Sequence, residues 1–259
     1  GTFRDLPEDI AHVLSKPAKT VHSKLPLPPS RTQRFGQGYH LIDSADGGNR
    51  RLYSSWSEKT AILADASDEI LRKWATPPIR SGCLALSPSG DEVVVVQEEE
   101  TEPRKYRFIF EDALTGARLR DFVFEDSRVI GWIDVGPLGE TLLLRMAESD
   151  IVLLDYQRGE NLGEISRPTR LALDAQYSPD GRFIAVKFGR QVTLYDRATL
   201  AECKQLVHPL LVKWCRFSPD GTRLVAGQIS EILTMWDVDS ARPLWTRQGY
   251  AAESTVFSR

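Results

Sequence analysis

A short turn that returns at steady intervals, with an apolar segment on each side of it, predicts an all-β chain: a β-propeller of four-stranded antiparallel blades. Phe217-Ser218-Pro219-Asp220-Gly221 recurs as Tyr177-Ser178-Pro179-Asp180-Gly181 and Leu86-Ser87-Pro88-Ser89-Gly90, and more weakly as Val135-Gly136-Pro137-Leu138-Gly139 and Ser44-Ala45-Asp46-Gly47-Gly48. Gly48, Gly90, Gly139, Gly181 and Gly221 are spaced 42, 49, 42 and 40 residues apart, and a period of ~40–45 residues is the size of one blade. The 259 residues, 41% of them hydrophobic, suffice for one sizeable core.

Each blade can be read strand by strand. In the turn, Pro presets φ, Asp closes the backbone locally and Gly supplies positive φ. First strands precede it: Leu84-Ala85-Leu86, Ile130–Ile133, Ala175–Tyr177 and Cys215–Phe217. Second strands follow: Val93–Val96, Leu142–Leu144, Phe183–Val186 and Leu224–Ala226. Third strands fall at Tyr106–Glu111, Ile151–Asp155, Val192–Asp196 and Ile232–Asp237. Fourth strands, after another turn, fall at Leu119–Phe124, Asn161–Ile165, Glu202–Leu206 and Pro243–Arg247. Short, β-branched-rich segments between regularly spaced turn residues are a strand signature, and helical periodicity is confined to Glu8–Leu14. Five blades result, at 40–76, 82–124, 129–166, 171–207 and 212–248, and Ser254–Ser258 begins a sixth. That strand could pair with Arg31–Gly38 to finish a blade, could join the first blade and close the ring, or could mark an excerpt from a longer protein of six or seven blades, the outcome favoured here.

The segment His208–Val238 resembles the WD40-repeat family. His208 stands nine residues before Phe217, Val212 and Cys215 hold the intermediate apolar positions, and Trp236-Asp237 is the dipeptide that names the family. Pro179, Asp180, Gly181, Pro219, Asp220 and Gly221 complete the repeat signature. The resemblance covers 40–258 and implies a disc that binds other proteins. It also implies a hydrogen-bonded network of His, a turn Asp, Ser/Thr and Trp. Here Ser230 stands in place of that Asp, so apolar packing is expected to carry most of the stability.

Two regions are expected: 1–39, a Pro-rich basic linker or N-terminal extension that could add a strand (Arg31–Gly38), and 40–259, the propeller. Pro26–Pro29 matches a polyproline ligand pattern, but such matches are common by accident and a tether is the favoured account.

Charge and motif content narrow the function. A net charge of −3 gives no global field for nucleic acid or an acidic membrane, and no apolar run reaches the length of a membrane span. Cys83, Cys203 and Cys215 form no CxxC, and the first and last fall at interior positions, as expected of free thiols in a reducing, cytoplasmic setting. The histidines form no zinc pattern, and no GxSxG, P-loop or dinucleotide fingerprint is present, so neither a metal nor a cofactor is expected. Asp155, Asp196 and Asp237 end third strands in successive blades, a repetition that indicates structure. The acidic run Glu98–Glu102 followed by Arg104-Lys105 lengthens one hairpin, and reads as a self-neutralising loop or a docking protrusion.

A basic residue also precedes the innermost strands: Arg80, Arg128 and Arg170, with Lys213 nearby. In a propeller such positions would surround one mouth of the channel. They define a candidate electropositive site for an acidic or phosphorylated peptide, with Trp132 and Trp214 as aromatic anchors; exposed loop arginines are the plainer alternative. The expected function is a non-catalytic interaction scaffold or docking or sensor module of a longer regulatory protein. The alternative is an accessory propeller regulating an enzyme domain in the same polypeptide.

Overall fold

The computed structural model describes residues 39–45, 48–55, 57–75, 83–99, 101–147, 150–166 and 174–248. These residues form five four-stranded antiparallel sheets, each joined in simple sequential order, the blade of a β-propeller. The first sheet comprises β1 (Tyr39–Ala45), β2 (Arg50–Ser55), β3 (Thr60–Asp65) and β4 (Ile70–Ala75); the second β5 (Leu84–Leu86), β6 (Glu92–Glu99), β7 (Lys105–Asp112) and β8 (Arg118–Glu125). The third comprises β9 (Ile130–Val135), β10 (Thr141–Met146), β11 (Ile151–Asp155) and β12 (Asn161–Ile165). The fourth holds β13 (Asp174–Tyr177), β14 (Phe183–Phe188), β15 (Gln191–Asp196) and β16 (Glu202–Val207), and the fifth β17 (Val212–Phe217), β18 (Arg223–Gln228), β19 (Ile232–Asp237) and β20 (Arg242–Gln248).

The expected fold class and blade bounds agree with this arrangement to within a few residues. The Glu8–Leu14 segment, Pro26–Pro29, Arg31–Gly38 and Ser254–Ser258 lie outside the described residues. The chain forms two compact units, whose described parts are 39–166 and 174–248. In the first unit β5 lies beside both β1 and β9; in the second β17 lies beside β14 and β15.

Burial follows strand position. Second and third strands are sealed on both faces: Leu142, Leu143, Leu144, Val152 and Leu154 are all fully buried. Their sequences are accordingly continuous apolar runs rather than alternating ones. Each such side chain stabilises the fold by roughly 1.5–3 kcal/mol relative to exposure. Fourth strands are largely exposed.

Every fourth strand carries a bulge at the same register. The pairs Leu63↔Arg72 and Ala64↔Ile70 leave Leu71 extra, and Leu119, Leu162, Cys203 and Leu244 occupy the equivalent place in the other four sheets. All five side chains are exposed. The extra residue twists the outer edge and spoils it as a template for further strand pairing.

The turns behave as their residues dictate. Ser178 Oγ donates to Asp180 at 2.6 Å and accepts the Phe183 N–H at 2.8 Å, and Ser218 repeats both contacts with Asp220 and Arg223. Gly181 and Gly221 sit at φ 71°, where a β-carbon is penalised. The aspartates that end third strands cap the next hairpin: Asp196 accepts the Thr199 N–H and hydroxyl, and Asp237 does the same for Ser240. Their role is structural, as their repetition indicated.

Candidate functional site

In three of the sheets the residue that follows the bulge reaches the next sheet. Arg72, Arg120, Gly163, Lys204 and Trp245 are equivalent in register. Arg72 reaches Glu111 at 2.7 Å and the Asp112 carbonyl at 3.2 Å in the second sheet. Lys204 Nζ donates to the Val238 carbonyl at 2.8 Å in the fifth. Arg120 behaves differently. Its guanidinium stacks 3.8 Å from the Phe110 centroid and 4.9 Å from that of Tyr156 in the third sheet, while one amino group holds both oxygens of Glu92 at 3.0 Å. Its other amino group and Nε are buried without a hydrogen-bond partner; the Phe110 ring face supplies a compensating cation–π contact.

Glu92 is the acidic centre of this group. Besides Arg120 it accepts the Tyr156 hydroxyl at 2.7 Å. Burial and the adjacent carboxylate raise the Tyr156 phenol far above its ordinary range, so it remains a neutral donor. Phe110 meets Tyr156 edge to face at 5.1 Å. The result is a rigid polar and aromatic seam between the second and third sheets.

Above the seam lies a cleft of about 390 Å³ between two repeat turns. One wall is Ser87, Pro88 and Ser89; the other is Pro137, Leu138 and Gly139; Glu92 and Tyr156 form the floor and Asp91 stands at the rim. Leu138 is 57% exposed although it is a leucine on a turn. The cleft is made of departures from the repeat. Leu138 and Ser89 stand where the fourth and fifth sheets have Asp180 and Asp220, and Gly136 replaces the turn serine. Tyr156 follows the strand-ending aspartate where the corresponding residues are Ala113, Arg197 and Val238. The repeat alignment contained this signal, but it reads there only as degeneracy.

The candidate basic mouth has a different environment from the one expected. Arg80 and Arg170 lie outside the described residues. Arg128 does not present a free cation: it pairs with Asp126 and Asp150 at 2.8 Å and Glu164 at 2.7 Å. These carboxylates hold its pKa far above the ordinary arginine value, and the local balance is negative. The β8–β9 connection, the β10–β11 hairpin and β12 each bring a carboxylate to the same guanidinium, which acts as a clasp. Trp214 is likewise no exposed anchor. It is 8% exposed and packs with Val225 and Leu233, its ring resting where a β-carbon on Gly227 would sit at 2.3 Å. Trp132 is half-buried beneath the Arg145 guanidinium at 5.1 Å. Lys213 offers its carbonyl to Lys187.

The remaining singled-out residues fall into place as structure. His208 and Trp236 meet edge to face at 5.2 Å, but both imidazole nitrogens and the indole N–H lack hydrogen-bond partners. Ser230, at the place of the family's turn Asp, has φ 61° in a tight hairpin. In the acidic hairpin Glu98 pairs with Arg104 and Glu99 with Arg107, while Lys105 pairs with Glu125 of β8. Cys83 and Cys215 are buried and Cys203 is exposed; desolvation pushes the Cys215 thiol up to about 12. Among the described residues no group of His, Cys, Asp and Glu could hold a metal ion, and no helix is long and apolar enough to cross a membrane.

No family model matches the chain, and no curated protein matches it. Among solved structures, the chain is similar to one of Kuenenia stuttgartiensis hydrazine synthase. The TM-score is 0.59 at 17% identity, covering 87% of this chain and 67% of that one. At that identity the similarity establishes the fold alone.

Proposed function

We propose that the chain is a WD40-like propeller acting as a non-catalytic protein-interaction scaffold or docking module of a longer regulatory protein, in a reducing cytoplasmic setting. The observation that carries this reading is where the ionisable side chains are used. The strand-ending aspartates cap hairpins, Asp180 and Asp220 close turns, and Arg72 and Lys204 join neighbouring sheets. Arg128 clasps three carboxylates. What remains at the surface is a cleft bounded by proline, leucine, tyrosine, serine and carboxylate groups on rigid turns, a composition suited to holding a peptide.

The test is reconstitution. Proteins captured by the intact chain are purified and recombined with it, and complexes are mapped by cross-linking. The expected result is a stoichiometric complex whose contacts lie on loops and turns of the sheets. If no captured protein re-forms a complex with the purified chain, the scaffold reading is overturned.

A second reading is supported by the fold shared with a chain of hydrazine synthase: a propeller that serves an enzyme within the same polypeptide or assembly. Under it, the stable complex would form with a catalytic domain, and turnover by that domain would change when the propeller is removed.

A further inference from the structure

We propose that the cleft between the repeat turns of the second and third sheets receives a single arginine or lysine side chain from a basic segment of a partner protein. This deepens the docking reading above by assigning it a place and a chemistry.

Charge is the first argument. Glu92 is matched by Arg120 and held further by the Tyr156 hydroxyl, so its charge is largely spent. Asp91 is exposed, and no hydrogen bond or ion pair engages its carboxylate among the described residues. In the fourth sheet, by contrast, the turn carboxylate Asp180 is closed by Ser178 and by Arg182 at 2.5 Å. The cleft therefore keeps one uncompensated negative charge, and a monocation complements it.

Shape and wall chemistry are the second. Lysine and arginine carry an apolar stem below a charged head, and such a stem lies favourably on apolar surface. Pro88, Pro137 and the exposed Leu138 provide that surface, while Ser89 and Asp91 line the place for the head. The volume of about 390 Å³ accommodates one long side chain with adjoining backbone. An anion would meet two carboxylates and no cation among the lining residues of the cleft, and a purely apolar ligand would leave Asp91 desolvated.

Rigidity is the third. Gly90 and Gly139 fix the two turns at φ 77° and 68°, each closed by a 2.8 Å backbone hydrogen bond, Gly90 to Ser87 and Gly139 to Gly136. The floor is locked by the Phe110, Tyr156 and Arg120 stack. A preformed site loses little conformational entropy on binding.

The experiment titrates the ¹⁵N-labelled chain with a capped alanine pentapeptide carrying one central arginine, and in parallel with its lysine and citrulline counterparts. The expected result is saturable shifts of the Ser89, Asp91, Leu138 and Gly139 amides with the arginine and lysine peptides, in the millimolar range, and at least fivefold weaker binding of citrulline. Asp91→Asn should abolish the preference for the charged peptides, with an unchanged melting temperature because the carboxylate makes no contact among the described residues. Equal binding of arginine and citrulline peptides, absence of shifts at these amides, or an unaltered preference in D91N would overturn the proposal. Those outcomes leave the scaffold reading standing, since its own test is reconstitution with intact partners. A chain that binds the arginine peptide through Asp91 but reconstitutes with no protein would instead retain the cleft and lose the scaffold.

Discussion

Both nitrogens of His208 are buried without a partner, and that environment makes the residue a sensor of acid. Burial lowers its pKa from 6.5 to about 4. The unfolded chain therefore takes up the proton first. The stabilising share of the neutral ring is complete above pH 6.5 and is lost as pH falls toward 4, by an amount on the order of 2–3 kcal/mol. Asp43 works in the opposite sense. Its carboxylate accepts the Leu86 N–H at 2.8 Å and the Ser44 N–H at 2.7 Å, yet desolvation outweighs both and raises its pKa to about 6. Its contribution is complete below pH 3.8 and is lost as pH rises through 6. Because the two act over the same interval, the wild-type profile understates each. In His208→Gln the acid loss should disappear, so the stability gap to wild type measured by urea unfolding narrows between pH 7 and pH 4. A constant gap would show that the imidazole is hydrated.

At the scale of elements, the outer strand combines two functions in consecutive residues. The bulged position is exposed, and where the next residue is Arg72, Arg120 or Lys204 it reaches across to the following sheet. Leu244→Lys should therefore change stability by no more than about 0.5 kcal/mol. Lys204→Met removes a donor to the buried Val238 carbonyl and should cost about 1–2 kcal/mol by denaturant midpoint. If both substitutions cost the same, the division of roles is wrong. A closer approach limits β18. A methyl group on Gly227 would meet the Trp214 ring at 2.3 Å, so Gly227→Ala should cost about 1–3 kcal/mol and shift Trp214 fluorescence. These devices were hidden in the sequence for a common reason. The strands were legible because Ser-Pro-Asp-Gly turns and apolar runs are local signals, and Ile151–Asp155 and Asn161–Ile165 appear with the very bounds their residues suggested. A one-residue slip on an edge strand leaves no local trace, because Leu119 and Leu162 look like core residues until the register is known. The Arg128 clasp was missed likewise: Asp126, Asp150 and Glu164 converge only after three separate segments have been folded together.

For the molecule as a whole, the repeat determines the scaffold and its exceptions determine the candidate site. Five sheets could be assigned because each repeats the same turn and strand grammar, whereas the cleft could not, since Leu138, Tyr156 and the Glu92–Arg120 pair each occur once. The exceptions are nevertheless tied to the core. Phe110 is fully buried, lies under the Arg120 guanidinium, and touches Tyr156 and Phe122, so it joins the packing of the second and third sheets to the floor of the cleft. Phe110→Leu keeps most of the volume and removes the ring face, and should cost about 1–2 kcal/mol. Tyr156→Phe keeps the ring and removes one hydrogen bond to a charged acceptor, at a cost of about 1–2 kcal/mol. If the seam acts as one unit, the two losses are not independent. Without the Phe110 ring Arg120 is free to leave its stack, Glu92 shifts with it, and the Tyr156 hydroxyl has less to lose. The double variant should then be more stable than the sum of the single losses implies, by roughly 0.5–1.5 kcal/mol in a urea double-mutant cycle. Strict additivity would separate the aromatic packing from the polar floor and show that the cleft sits on the core without being braced by it.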